Sequence, residues 1–83
     1  MKIKKKLAVR EINGEMFIVD IEKETLHNIN ETGAFLWKCF ARGIDAAIAA
    51  KSLANEFDVT EEEALADTKE FLKTLEMKGL ISR

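Results

Sequence analysis

Apolar and polar residues alternate near the start of the chain. "AVREI" and "EMFIVDI" are two β-rich runs separated by Asn13-Gly14. That dipeptide tolerates the positive φ angles of a type I′ turn, so the spacing predicts a hairpin with strands over 7–12 and 15–21. On the second strand Phe17, Val19 and Ile21 share one face and Met16 and Ile18 the other. Apolar residues on both faces predict the central strand of a small sheet. After the polar turn "EKET", "LHNI" (26–29) reads as a short third strand. The result is a meander in spatial order, with the first and third strands at its edges.

From Asn30 onward the apolar period lengthens to that of a helix. Asn30 is placed to cap a helix over 31–42 that stops at Gly43. Ala34, Phe35, Leu36, Trp37, Cys39 and Phe40 make most of it apolar, as expected for a helix lying across the sheet. Asp45 caps a second helix over 46–57, with Ala49, Leu53 and Phe57 on one stripe. Thr60 and Glu63 have capping-box spacing, and Glu61 and Glu62 suit the positive end of a helix dipole. They precede a third helix over 61–78 that is expected to bury Ala64, Leu65, Thr68, Phe71, Leu72 and Leu75 and to stop at Gly79. "LISR" is expected to add a terminal extended segment. The fold class is therefore α+β and winged helix-turn-helix-like: a three-stranded antiparallel β-meander followed by three α-helices, in a single domain over 1–83.

Composition narrows the class without changing that outline. A chain of 83 residues has room for one modest core. With 47% apolar and 34% charged residues it has the balance of a soluble globular protein. A formal net charge of −2 provides no global basic field to attract nucleic acid or anionic lipid. The single cysteine, Cys39, excludes an intrachain disulfide and fits a reducing compartment. The basic start "MKIKKK" leads into no apolar run long enough for a signal peptide or a membrane span, so the expected address is cytoplasmic, with no membrane partner. The lysines of that start are expected to be solvated and mobile.

Few residues invite chemistry. One Cys and one His cannot fill a zinc or iron site. Cys39 has only His27 as a possible base, and it lies between Trp37 and Phe40 on an apolar helix, where a buried thiol is expected. No glycine-rich loop follows a strand, and Glu61–Glu63 is most simply a helix start. The expectation is no enzyme, no cofactor and no metal.

A winged helix invites the alternative of a DNA-binding transcriptional regulator, whose second helix-turn-helix helix needs cations. Here Glu61, Glu62, Glu63, Asp67 and Glu70 would face phosphates, with Lys69 and Lys73 only a partial balance, so no nucleic acid is expected. The sheet edges remain. The first strand is guarded by the lysines of "KIKKKLAVR", whereas "LHNI" has neither lysine nor proline. Either its brevity or cover from the third helix protects it, or it is kept open for an incoming extended peptide.

The run "INETGAFLW" (29–37) resembles the Leu-Asn-Glu-Thr-Gly-Ala…Trp signature of the PqqD-like proteins, with Ile29 where leucine is usual. The similarity extends from about Leu7 to Ile81. The resemblance implies a non-catalytic peptide chaperone, or recognition element, for ribosomally made, post-translationally modified peptides. Such a domain binds the leader of a precursor peptide as an added strand beside its third strand and against its third helix. It then presents the core segment to a modifying enzyme, often a radical S-adenosylmethionine protein. Carried over by position, the groove would be Leu26, His27, Asn28 and Ile29 on the strand facing Ala64, Asp67, Thr68 and Phe71 on the helix. Asn30, Gly33 and Trp37 read as framework: a cap, a close backbone approach and a core filler. A further rival is a partner subunit that binds an enzyme but no free peptide. A monomer is expected, with pairing of the third strand to its own copy as the route to a dimer.

Overall fold

The computed structural model describes residues 1–82 and orders the chain as β1 (Lys2–Ile3), β2 (Leu7–Ile12), β3 (Glu15–Asp20), β4 (Thr25–Ile29), α1 (Glu31–Ala41), α2 (Ala46–Phe57), α3 (Glu61–Met77) and β5 (Ile81–Ser82). Asn13 and Gly14 take φ values of 51° and 84°, as a two-residue primed turn demands, and the hairpin forms with Ile12 opposite Glu15. The main sheet is antiparallel in the order β2-β3-β4, so β4 is an edge. The fold is α+β, with the meander and the three helices the sequence predicts.

Each helix starts on a side-chain cap that satisfies an otherwise free amide. Asn30 Oδ1 accepts from the Gly33 N–H at 2.9 Å, Asp45 Oδ1 from Ile48 N–H at 2.9 Å and Thr60 Oγ1 from Glu63 N–H at 3.1 Å. The core joins Met16, Ile18 and Ile29 of the sheet to Leu36, Trp37 and Phe40 of α1, and then to Leu53 and Leu75. The two faces of β3 differ in burial, and one burial expectation, on α3, needs correction. Phe17, Val19 and Ile21 do not lie in a second buried layer: Phe17 is half-buried, and Val19 and Ile21 are exposed. The helices cover only one face of the sheet, so β3 is central by pairing and not by burial. On α3, Ala64, Thr68 and Leu75 are buried and Phe71 and Leu72 half-buried, but Leu65, expected to be buried, is exposed one turn from the start of the helix.

The N-terminal lysines also depart from expectation. Lys2 and Ile3 pair with Ser82 and Ile81, so the terminal extended segment is the partner of the chain's own start. The Lys4 N–H donates to the Leu80 carbonyl at 2.9 Å, and Lys4 Nζ donates to both carboxylate oxygens of Asp20 at 2.8 and 3.1 Å. Asp20 is fully buried and accepts in addition from the Lys23 N–H at 3.1 Å. A carboxylate in the core demands such partners, and a basic start is what provides one.

The lysine bond holds the Asp20 carboxyl below the usual aspartate range; burial opposes this and the Lys23 amide assists it. The same bond to Asp20 raises the Lys4 ammonium, against the pull of burial. With Asp20 lowered, the stability it contributes is present above the ordinary aspartate range and is lost as pH falls through its folded value. With Lys4 raised, its contribution is present below the ordinary lysine range and is lost as pH rises through its folded value. Denaturant midpoints should therefore be level around neutrality and fall at both extremes. Lys4→Met should be less stable at pH 7, with a shallower decline on the acid side. A midpoint at pH 7 equal to that of the wild type would show that the pair contributes nothing.

Candidate functional site

Among the described residues, strand β4 pairs on one side only, with β3. The Ile21 N–H donates to the Lys6 carbonyl at 3.1 Å, continuing the odd-numbered series of β3 that faces β2 from Glu15 onward. The even residues Met16, Ile18 and Asp20 therefore face β4, opposite Ile29, His27 and Thr25. Alternation then leaves the N–H and C=O groups of Leu26 and Asn28 pointing away from the sheet. Among the described residues no backbone bond outside the regular elements reaches either residue.

Helix α3 runs beside this edge, and two glycines show how. A Cβ at Gly33 would lie 2.6 Å from Ile29 Cγ2 and 2.9 Å from Phe71 Cε1, so the end of β4, the start of α1 and the middle of α3 meet there. A Cβ at Gly79, just past α3 with φ 73°, would lie 2.8 Å from Lys23 Nζ on the turn before β4. Strand β4 and the second half of α3 thus run in opposite directions, with Ile29, Gly33 and Phe71 meeting at one end. Just past the Ile29 end of β4, between the start of α1 and α3, lies a cavity of about 300 Å³. One wall is Asn30, Thr32, Gly33 and Leu36; the other is Asp67, Glu70, Phe71 and Thr74. The Phe71 ring stacks on Phe40 with centroids 6.4 Å apart, and the Thr32 hydroxyl donates to Asn30 Oδ1 at 3.1 Å.

The expected groove residues separate into groups. Asp67 and Phe71 line the cavity. Leu26 and Asn28 lie on the open edge with side chains on the outer face of the sheet, and Leu26 is 66% exposed. His27 is half-buried on the inner face, its Nε2 3.2 Å from Thr25 Oγ1, and Ile29 is buried in the core. Ala64 and Thr68 are fully buried, the Thr68 hydroxyl donating to the Ala64 carbonyl at 2.7 Å, so neither offers surface to a ligand. The row of α3 that faces the core and the row that faces the cavity are only about 100° apart, one residue step. That step accounts for the displacement from Ala64 and Thr68 to Asp67, Glu70 and Thr74. The i, i+3, i+7 spacing of Asp67, Glu70 and Thr74 was the available signal for the row. Asn30 and Gly33, expected as framework, also form a cavity wall.

Cys39 and His27 are not brought together. Cys39 lines a separate cleft of about 590 Å³ beside the hairpin tip, among Phe35, Lys38 and Arg42 on its own helix and Phe57 on the next, and His27 is not part of it. Burial pushes the Cys39 thiol up, with Arg42 and Lys38 pulling weakly the other way, so little thiolate is present at neutral pH. Among the described residues no helix is long and apolar enough to cross a membrane.

Solved structures share this architecture. The lasso peptide synthetase B1 complexed with the leader peptide superposes with a TM-score of 0.89 at 20% identity, covering 99% of this chain and 96% of that one. TbiB1 in complex with the TbiA(beta) leader peptide superposes with a TM-score of 0.88 at 21% identity, covering 96% of this chain and 93% of that one. No curated protein matches the sequence. Residues 15–81, from the second strand of the hairpin through the cavity to β5, match the family of Coenzyme PQQ synthesis protein D, and the chain belongs to this PqqD family.

Proposed function

We propose that this chain is a non-catalytic recognition domain that binds the leader of a ribosomally made precursor peptide by strand addition to β4. The observation that carries the reading is the pair of open ladder residues, Leu26 and Asn28, on an edge that leads to the cavity between the start of α1 and α3. An extended peptide there completes four backbone bonds, two at each residue, which fixes its register. Its side chains then alternate: those level with Thr25, His27 and Ile29 point toward α3, and those between them point to the outer face. The two solved proteins of the same fold are complexes with leader peptides, which supports this occupant.

The whole domain acts as one unit and makes or breaks no covalent bond. It raises the effective concentration of the substrate segment near a modifying enzyme, a radical S-adenosylmethionine protein or another peptide-modifying enzyme, to about the millimolar range through a short flexible connection. Titrating isotopically labelled protein with synthetic leader, from a precursor encoded beside the gene, should shift the Leu26 and Asn28 amides first. Phe71→Leu should weaken binding several-fold with an unchanged circular dichroism spectrum. Saturable binding that leaves the amides of 25–29 unmoved would refute strand addition at this edge.

A further inference from the structure

The cavity just past the Ile29 end of β4 has two kinds of surface. Its apolar surface is the half-buried Phe71 ring, with the buried Gly33 and Leu36 behind it. Its lip carries the exposed carboxylates of Asp67 and Glu70 on successive turns of α3. Neither makes an ion pair or a side-chain hydrogen bond among the described residues, and no cation lines the cavity. The nearby lysines of the helix, Lys69 and Lys73, lie on its other flank around Leu72 and Glu76.

We propose that this cavity takes a lysine or arginine side chain of the docked peptide, so that the domain selects leaders with a basic residue at one fixed position. The inference rests on the strand-addition reading and adds its specificity. A long alkyl stem lies on the Phe71 ring while the charged head stays at the lip, a division of surface that Lys and Arg side chains supply. Asp67 and Glu70 are about 4.5 Å apart along the helix axis, so both reach one head group, and a guanidinium presents donors to each. Inward-facing residues of an added strand recur about every 6.8 Å, too far for neighbouring ones to share the cavity, so one peptide position is read. A purely apolar side chain covers the Phe71 ring but leaves two carboxylates partly desolvated, and an acidic one is repelled.

The test is selection from a displayed library of random extended peptides, using the full chain, followed by sequencing of the bound pool. The wild type should enrich Lys or Arg about tenfold at one position, the ratio expected from one close charge pair of roughly 1.4 kcal/mol. Asp67→Asn with Glu70→Gln should abolish that preference while apolar preferences persist. Glu61→Gln with Glu62→Gln, which changes net charge equally at a distance, should retain it. A bound pool with no basic position, or a preference lost equally in both double variants, overturns the cavity assignment and leaves strand addition intact. Absence of any captured peptide overturns strand addition and this proposal together.

Discussion

Asn28→Pro should lower affinity for an added-strand peptide by about tenfold or more, the loss expected from one buried backbone bond plus steric exclusion, with the fold retained. The reason is directional. The Asn28 amide belongs to the open side of β4, so proline removes a donor that the native ladder does not use and places its ring where the partner strand must lie. Edge strands accept proline at such positions, and His27 before it is already extended, as a residue preceding proline prefers. The Asn28 side chain is exposed on the outer face and its loss empties no cavity. His27→Pro is the matched control. It deletes an amide facing Ile18 inside the sheet and should lower the melting temperature itself. Fluorescence anisotropy with labelled leader and thermal circular dichroism separate the two effects. Wild-type affinity in Asn28→Pro would mean that the edge is not where the peptide docks.

Gly33→Ala should both destabilise the domain and close the cavity. Gly33 is a helical residue of the first turn of α1, so alanine gains up to about 1 kcal/mol of helix propensity. Against this, the new methyl would stand 2.6 Å from Ile29 Cγ2 and 2.9 Å from the Phe71 ring, both closer than atoms tolerate. Ile29 is buried and Phe71 is stacked on Phe40, so relief requires core movement, and such overpacking costs about 1–3 kcal/mol. With the full propensity gain the net loss is up to about 2 kcal/mol, a substantial part of the roughly 5–10 kcal/mol available to a domain of this size. Movement of Phe71 also removes the apolar surface of the cavity, so leader affinity should fall together with the urea midpoint. A midpoint equal to or above that of the wild type would show that propensity outweighs the contact.

Much of the architecture was legible because its causes are local. Asn13-Gly14 dictates its turn, Asn30, Asp45 and Thr60 each cap the helix that follows, and the residues that terminate or restart a period stand beside the segments they control. The position of β4 at the sheet edge also followed from the meander, since consecutive short-turn strands pair in order. The site was legible only in part. Asp67 and Phe71 line the cavity, but Ala64 and Thr68, one step around the same helix, face the core.

Tertiary packing decided everything that depends on which way an element turns toward distant partners. Phe17, Val19 and Ile21 look as buriable as Met16 and Ile18, and only the placement of all helices on one side leaves them outside. Lys4 looks like any solvated lysine until β1 pairs with β5 and brings it to Asp20. Gly33 and Gly79 acquire their meaning from Phe71 and Lys23, residues far along the chain from them. Turns and caps are contacts between near neighbours, which the order of residues specifies directly. A groove is the space left between elements after a single core has been shared among them, and no local pattern encodes that remainder.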